Sequence, residues 1–530
     1  MTRVRVDLGG ARLPPRSDLS ASLSAVASAK AGASATAEAL AKEAGIGCAA
    51  SRPHASPPCS ALSQPLAVWF SNLKPLPSPD DSGISWPWAK VPRLAIIGSF
   101  AAAAIYAGAF FRAFGGLDHW PGSASYVHLA RNLLHGHGFS YDGIHPTALR
   151  PPLYPLMLAA TMSVTGDHWF LATILLQAVG AAMCIVMVFG IARAIWPRSR
   201  APWLSAALLA LHGPFMFEML SLRETVWFTL ALLGVAWLLL ERTPHAASAV
   251  ALGGFLASLY LLRPTGLMVC GVTIAFLVWK AVRLPSGDVR PLAISLVASL
   301  LLVAPWQAFT WRNFSTPGFF PTSSSGYNLA KGADADLAVV SPWIDADALD
   351  PQLRKLTQTV PGNQERATDK VLRRIAIGLI RKSPGTAIYR SMASALQFVS
   401  PLPIPLGTGT LRQTPGGLTI ENFHPDWEEI AFTPVTILLL VSACGGLRYL
   451  LWREEGPSFF GLWMAIVFLS FLIVHALTFT KTRYRLPLDA LLAVPAGAWL
   501  AGLKSKSGSG GSYGMTESGS RDPFMSHPVK

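Results

Sequence analysis

The chain has 530 residues, of which 51% are hydrophobic and only 14% are charged, and its mean hydropathy is +0.40. A soluble globular protein carries about a quarter charged residues, so this composition argues against a soluble enzyme and predicts an all-α polytopic membrane protein. The net charge of +14 would suggest nucleic-acid binding in a soluble chain. Here many basic residues flank apolar segments, so we expect no nucleic-acid partner.

The two ends of the chain differ in composition from its middle. Residues 1–93 are rich in Ala, Ser and Pro and contain no apolar run long enough to build a core. We expect a disordered cytoplasmic N-terminal extension, unless an incorrectly assigned start codon accounts for the segment. Residues 504–530 are rich in Gly and Ser and predict a disordered cytoplasmic C-terminal tail. The membrane domain is expected to cover residues 94–503.

Apolar runs of spanning length predict about ten transmembrane helices between these tails. They fall at residues 94–114, 170–196, 202–217, 225–240, 247–262, 265–282, 291–310, 430–451, 459–480 and 486–503. Several short loops rich in Lys and Arg lie on one side of this arrangement, which the positive-inside rule assigns to the cytoplasm. The long loops 115–169 and 311–429 are then expected on the outer face, where the second loop would cap a cavity.

The first outer loop contains two short helical patterns instead of a span. Residues 123–134 place apolar side chains at helical spacing, which predicts a helix that lies in the membrane interface. Residues 153–164 form an apolar run that begins after Pro151 and Pro152. This run is too short to cross a bilayer, so it predicts a re-entrant or juxtamembrane helix.

Six motifs on the predicted outer side follow one another in a characteristic order. They are the helix and turn at 129–139, Arg-Pro-Pro-Leu-Tyr-Pro at 150–155, Ser-Leu-Arg-Glu at 221–224, Leu-Arg-Pro at 262–264, the stretch 305–329, and Arg-Tyr-Arg-Leu-Pro at 483–487. This order resembles the C-superfamily of membrane glycosyltransferases (GT-C), which includes protein O-mannosyltransferases and the bacterial aminoarabinose transferases. The chain most resembles the bacterial branch with dolichyl-phosphate-mannose transferase character.

The resemblance implies a GT-C-like fold and an enzyme of the bacterial inner membrane. Such an enzyme transfers a sugar from a polyprenyl phosphate to a lipid, glycan or protein acceptor on the outer side. Some members use a divalent cation, which a carboxylate and the donor phosphate would hold. Six of the chain's 12 histidines lie in the first loop, but none forms the i, i+4 pair of a zinc motif. We therefore predict no metal site and no certain cofactor.

One position departs from the family pattern. Gly122 stands four residues before Tyr126, where family members usually carry a catalytic Asp. The reaction needs a carboxylate to deprotonate or orient the acceptor. Glu224 and Asp118 are the candidates, with Asp142 and Asp167 as weaker substitutes for the missing Asp. Asp118 could instead be a solvated loop carboxylate, and Glu224 could be an interfacial residue paired with Arg223. Gly122 also favours an alternative, a catalytically silent GT-C-like protein that binds or transports lipid.

The turn before the last predicted span is unusually basic. Lys481, Arg483 and Arg485 lie on the predicted outer face, against the positive-inside bias. A bound phosphate would offset this cost, since arginine forms paired, charge-assisted hydrogen bonds with phosphate. We therefore predict that these residues, together with Arg263, bind the donor phosphate. The alternative is contact with lipid headgroups.

Contacts to the acceptor or the sugar are expected from four further residues. Arg150 begins one of the motifs that carry the resemblance, and Tyr126 is the tyrosine of the first-loop helix. Asn313 and Asn328 lie in the second outer loop, where their amides suit sugar hydroxyls but also suit simple turns.

Overall fold

The computed structural model describes most of the predicted membrane domain. The described residues are 91–114, 124–240, 245–283, 289–314, 321–333, 343, 362–414, 417–451 and 459–502. The predicted tail 504–530 and nearly all of the tail 1–93 lie outside the described residues, as do Asp118, Gly122 and parts of the 311–429 loop.

The described chain is almost entirely helical, which confirms the all-α class. Its helices are α1 (Arg93–Phe114), α2 (Ala124–Leu134), α3 (Leu153–Thr165), α4 (Trp169–Ile195), α5 (Ala201–Ala210), α6 (Gly213–Glu218), α7 (Thr225–Leu239), α8 (Ala246–Leu262), α9 (Gly266–Arg283), α10 (Arg290–Phe314), α11 (Ser325–Ala333), α12 (Gly362–Lys382), α13 (Pro384–Val399), α14 (Trp427–Ile430), α15 (Thr433–Leu451), α16 (Phe459–Leu477) and α17 (Thr482–Leu500). Strands β1 (Gly407–Thr414) and β2 (Gly417–Pro425) form one hairpin.

The helices identify an integral membrane protein. Within the described residues, four helical segments are long and apolar enough to cross a bilayer: Leu153–Ile195, Arg290–Phe314, Thr433–Leu451 and Phe459–Leu477. Shorter apolar helical stretches cover Arg93–Ala109, Ala201–Ala210, Thr225–Leu239, Ala246–Leu262 and Gly266–Val282. The total number of ten spans therefore stays a prediction.

The predicted span 202–217 is wrong, because the structure divides this segment into α5 and α6. Helix α6 begins after His212, whose Nδ1 accepts a hydrogen bond from the backbone N–H of Phe215 at 3.3 Å. Pro214 lies in its first turn. Proline has no N–H and crowds the carbonyl one turn earlier, so it disfavours continuation of the preceding helix.

The first loop contains the two predicted short helices, α2 and α3. Gly136 and Gly138 follow α2 with φ angles of +76° and +74°, which glycine adopts without steric cost. Helix α3 begins directly after Pro152 and ends before Gly166. A single 3₁₀ turn then joins α3 to α4, so this apolar segment bends instead of forming one straight helix.

The second loop forms a layer of its own that is attached to the membrane helices. Helices α11 and α12 pack through a small apolar cluster of Ala330, Ala333, Leu372 and Ala376. Helix α13 contacts α16, and the rings of Phe398 and Phe468 lie 6.0 Å apart. The sequence did not predict the β1–β2 hairpin, because its strands are largely polar and lack the alternation that marks a half-buried strand.

Helix α17 lies at the centre of the described helices. Nearly all of its residues are buried, and it contacts α4, α5, α7 and α15. The first turn of α17, the first turn of α7 and the last turn of α8 meet at one place. Helix α2 covers that place from the first loop.

Candidate active site

A buried ion pair forms the centre of this meeting point. Glu224 immediately precedes α7 and Arg263 immediately follows α8. The Arg263 Nε donates to Glu224 Oε1 at 2.6 Å, and both side chains are nearly inaccessible to solvent. Arg263 also donates from Nη2 to Thr225 Oγ1 at 2.6 Å and from Nη1 to the carbonyl oxygen of Arg483 at 3.3 Å. The pair therefore joins the ends of α7, α8 and α17.

Two tyrosines from the first loop pack onto this pair. The hydroxyl of Tyr126 donates to Glu224 Oε2 at 2.8 Å. Burial and the charge of Glu224 raise the pKa of the Tyr126 hydroxyl, so it remains a neutral donor. The Tyr154 ring meets the Tyr126 ring edge to face, with 5.1 Å between centroids. Tyr154 in turn donates to Gln177 Oε1 at 2.8 Å in α4, which holds both tyrosines in place.

A second carboxylate stabilises the turn that carries Glu224. Glu218 accepts hydrogen bonds from Thr225 Oγ1 at 2.6 Å and from Arg223 Nη1 at 3.0 Å. The sequence suggested that Arg223 would pair with Glu224. The structure instead pairs Arg223 with Glu218 and Glu224 with Arg263.

Arg150 differs from Arg223 and Arg263 because no described carboxylate pairs with it. Its guanidinium carbon lies 5.4 Å from the centre of the Tyr126 ring. Within the described part of the chain, it makes no hydrogen bond and no ion pair. Among the residues that the structure describes, its N–H groups thus have no acceptor.

Arg483 brings a further charge to the cluster. Its guanidinium carbon lies 5.1 Å from the centre of the Tyr484 ring, and Arg263 approaches the same ring at 5.9 Å. Lys481 lies just before α17, is buried, and contacts the ring of Phe479 at 5.9 Å.

The arginines determine the ionisation of Glu224. Burial acts to raise the pKa of Glu224, but the charges of Arg263 and Arg483 outweigh it and lower the pKa to about 2. Glu224 is therefore a carboxylate at neutral pH. Counting only described residues, the cluster contains four arginines (Arg150, Arg223, Arg263, Arg483) and two glutamates (Glu218, Glu224). This excess of positive charge suits an anionic ligand.

Arg485 has different partners from those predicted. Its Nε donates to both carboxylate oxygens of Asp489, at 3.0 and 3.1 Å, and its Nη1 donates to the carbonyl oxygens of Phe398 and Ser400. Its side chain is 2% exposed, and Asp489 also lies 3.6 Å from His212. Arg485 therefore ties α17 to the end of α13, and we no longer assign it to the donor phosphate.

The two predicted asparagines also lie outside the arginine cluster's hydrogen-bond network. Asn313 donates from Nδ2 to the carbonyl oxygen of Phe309 in its own helix at 2.8 Å. Asn328 lies in α11, and its backbone N–H donates to Ser324 at 3.0 Å. Asp118 lies outside the described residues. No group of three or more His, Cys, Asp or Glu among the described residues could hold a metal ion.

Sequence reasoning missed several residues that shape the site. Asp489 had a usable signal, since an acidic residue inside an apolar span is costly unless it has a partner. Tyr154 and Gln177 had no such signal. Their importance follows from the contacts of α3 and α4 with the turn before Glu224.

The sequence matches no protein-family profile and no curated protein sequence. Among solved structures, it aligns with the oligosaccharyltransferase AglB of Archaeoglobus fulgidus in complex with an inhibitory peptide and a dolichol-phosphate. That alignment has a TM-score of 0.44 and 16% identity over 79% of this chain and 51% of the archaeal chain. It also aligns with ArnT from Cupriavidus metallidurans bound to undecaprenyl phosphate, with a TM-score of 0.35 and 15% identity over 74% of this chain and 77% of ArnT.

This chain thus spans about half the length of the archaeal protein. At these TM-scores and identities, the alignments assign no activity to the chain. Its function is inferred from the buried arginine cluster.

Proposed function

We propose that the chain transfers a sugar from a polyprenyl-phosphate donor to a lipid, glycan or protein acceptor. The observation that carries this proposal is Arg150, whose guanidinium stacks on Tyr126 beside the Glu224–Arg263 pair and has no hydrogen bond to a described residue. A guanidinium with available N–H groups in a positively charged cluster is suited to bidentate binding of phosphate.

Arg150 and Arg483 are the pair that would bind the phosphate. The charges of both arginines act on the same hydroxyl, that of Tyr126. Arg263 is already engaged by Glu224 and Thr225, and Arg223 is engaged by Glu218. Arg263 and Arg223 would therefore organise the site, and Arg150 and Arg483 would bind the phosphate.

A lipid-linked donor fits the position of the cluster better than a soluble sugar nucleotide. The cluster lies at the ends of the apolar helices α7 and α8. A phosphate bound at this level would leave a polyprenyl tail beside apolar helix surfaces, where its burial is favourable. The sugar and the acceptor would then meet on the loop side, which positive-inside topology assigns to the outer face.

The proposed reaction is a single displacement with inversion. An acceptor oxygen attacks the anomeric carbon, the bond from that carbon to the phosphate oxygen breaks, and its electron pair leaves with the polyprenyl phosphate. Arg150 and Arg483 would stabilise the charge on the departing phosphate. The acceptor proton passes to a carboxylate base.

Glu224 has a different role in this scheme from the one that the sequence suggested. Both of its oxygens accept hydrogen bonds, from Arg263 and Tyr126. Its pKa of about 2 also makes it a weak base. We therefore assign Glu224 to positioning Arg263 and Tyr126, and Asp118 stays the proposed base.

The test uses purified protein in lipid and a panel of polyprenyl-phosphate sugars. We expect transfer or release of the sugar by the unmodified chain, and an Arg150→Ala variant with kcat/KM for the donor lowered by roughly tenfold to a hundredfold, since a hydrogen bond to a charged group contributes about 1.5–3 kcal/mol. Arg131→Ala removes an exposed arginine of the first loop and should leave activity unchanged.

Two results would contradict the proposal. One is equal activity of the Arg150→Ala and Arg131→Ala variants. The other is tight binding of undecaprenyl phosphate with no sugar transfer from any donor, which would favour the catalytically silent lipid-binding protein.

A further inference from the structure

A second buried carboxylate lies outside the arginine cluster, in the second loop. Glu365 belongs to the first turn of α12 and is 4% exposed. Its Oε2 accepts a hydrogen bond from Thr147 Oγ1 at 2.8 Å, and its Oε1 accepts from the backbone N–H of Ala148 at 2.9 Å and from the hydroxyl of Ser323. All three donors are neutral.

These bonds connect three separate parts of the chain. Thr147 and Ala148 belong to the first loop, Ser323 precedes α11, and Glu365 begins α12. The backbone N–H of Ser323 also donates to the carbonyl oxygen of Ala148 at 2.9 Å. Thr147 Oγ1 accepts in turn from the N–H of Leu149 at 3.2 Å. The backbone is therefore held at each residue from 147 to 149.

Burial in this environment raises the free energy of the ionised Glu365 side chain. Burial raises the pKa of Glu365, although its three hydrogen bonds and the charge of the neighbouring Arg366 act in the opposite direction. A buried carboxylate without a bonded cation is destabilising compared with an apolar contact of the same size. A side chain that serves only to pack the two loops together would not need this charge.

Arg150 is the next residue along the chain from this anchored segment. Its guanidinium lies over the Tyr126 ring, and no hydrogen bond to a described residue fixes it there. The Tyr126 ring is buried, and a cation stacked on such a desolvated ring gains about 2 kcal/mol, which only offsets the rotamer entropy of about 1.5–2 kcal/mol that an ordered arginine loses. The direction of Arg150 therefore depends on a rigid backbone at 147–149.

We propose that Glu365 is a positioning residue for Arg150: it anchors the 147–149 backbone so that the Arg150 guanidinium stands over Tyr126, ready to bind the donor phosphate. The second loop is thereby part of the phosphate site although it does not touch the phosphate. This inference rests on the role of Arg150 in the proposed function.

Asp369 provides a matched control on the same helix. It lies one turn after Glu365, is also buried, and accepts hydrogen bonds from Ser325 Oγ at 3.0 Å and from the backbone N–H of Gly326 at 2.5 Å. A further partner is Arg373 of the same helix, which donates from Nη2 at 3.1 Å, so none of these partners belongs to the first loop. Loss of Asp369 removes the same charge from α12 without releasing the backbone before Arg150.

The experiment is a double-mutant cycle on the full chain in lipid nanodiscs, with undecaprenyl phosphate as the ligand and undecaprenol, which lacks the phosphate, as the comparison. We expect Glu365→Ala and Arg150→Ala each to weaken undecaprenyl-phosphate binding by roughly tenfold, without changing undecaprenol binding. The double variant should bind no more weakly than Arg150→Ala alone, because Glu365 acts through Arg150.

Other outcomes separate the two proposals. Undecaprenyl-phosphate binding that is unchanged by Glu365→Ala, losses that add in the double variant, or an equal loss in Asp369→Ala would overturn the positioning role and leave the proposed function intact. No binding by the unmodified chain, or no effect of Arg150→Ala, would overturn both. Should Glu365→Ala fail to fold, Glu365→Gln enters the same cycle, with a smaller loss expected because its amide keeps one acceptor oxygen.

Discussion

The arginines of the buried cluster differ in whether a carboxylate balances their charge. Arg263 and Arg223 each have a carboxylate partner, Glu224 and Glu218 respectively. Arg150 has none among the described residues. A buried carboxylate that already accepts from an arginine and a tyrosine is a structural anion, whereas an arginine with available donors is suited to bind a ligand anion. In the proposed function, Arg223 and Arg263 therefore stabilise the site, and Arg150 binds the ligand anion.

Ionisation of Glu224 should make stability depend on pH. Its pKa is lowered from 4.5 to about 2. A carboxylate with a lowered folded-state pKa stabilises the fold above its unfolded-state pKa, and that contribution is lost as the pH falls. We therefore expect the melting temperature of the detergent-solubilised protein to fall as the pH drops from 4.5 towards 2. The Glu224→Gln variant should be less stable at pH 6 and should lose less on acidification.

The control for this measurement is Asp167→Asn, which removes an exposed carboxylate of the first loop. Melting curves measured across the same pH range for the three proteins give the comparison. Parallel pH profiles of the unmodified chain and Glu224→Gln would show that Glu224 does not contribute in this way.

At the scale of secondary-structure elements, the site depends on where helices end. Glu224 precedes α7, Arg263 follows α8, and Arg483 lies in the first turn of α17. Helix ends carry unsatisfied backbone groups and are where charged side chains are best tolerated at the edge of an apolar core. The relative positions of α7, α8 and α17 therefore decide whether the cluster assembles.

Close packing of α8 on α10 gives a test of this dependence. A Cβ atom at Gly253 would clash with the backbone carbonyl of Ser295 in α10, whereas a Cβ atom at the adjacent Gly254 has nothing within 4 Å. We expect Gly253→Ala to destabilise the protein by about 1–3 kcal/mol, because the two helices must separate. Gly254→Ala should be neutral or slightly stabilising, since alanine favours a helix.

Denaturation of both variants in mixed detergent micelles measures the difference, and the unmodified chain gives the reference. Equal stability of the two glycine variants would contradict the predicted contact between α8 and α10. A loss of donor binding in Gly253→Ala alone would further connect this contact to the position of Arg263 at the end of α8.

At the scale of the whole molecule, the two loop layers should lie on one side of the membrane. Glu365 and Thr147 are hydrogen-bonded partners, so the first and second loops must share that side. Positive-inside topology assigns the opposite side, which carries Arg198 and Arg200, to the cytoplasm. This orientation is open to a direct test.

Cysteine labelling in intact cells provides that test. In a variant without the native cysteines, Ile144→Cys replaces a side chain that is 77% exposed in the first loop. Arg198→Cys replaces an exposed side chain in the short loop between α4 and α5. We expect a membrane-impermeant maleimide to label Ile144→Cys in intact cells and Arg198→Cys only after permeabilisation. The reverse pattern would invert the topology.

Several features of this protein were accessible from local sequence. The membrane class and most helix positions follow from apolar runs, since a bilayer requires helices of a set length whatever their neighbours are. The short helices α2 and α3 were predictable because glycines mark the end of α2 and prolines mark the start of α3. The helix break at His212 was not predicted, although Pro214 indicates it. A single proline changes the mean hydropathy of an apolar run very little, so the run was predicted as one span.

Local sequence also identified Tyr126, Arg150, Glu224, Arg263 and Arg483 as candidates, and the structure brings all five into one cluster. It could not assign their partners. Arg485 was grouped with Arg483, yet α17 directs it to Asp489, one turn further along the helix. Residues two positions apart on a helix point in different directions, so neighbours in sequence need not share a site.

The sequence by itself determined that this is a helical membrane protein with basic residues gathered near the ends of its apolar segments. Only the tertiary structure decided which charges meet. Glu224 and Arg263 are 39 residues apart, and Glu365 bonds to Thr147 across 218 residues. Ion pairs and hydrogen bonds act over a few ångströms in space, and the packing of whole helices sets those distances.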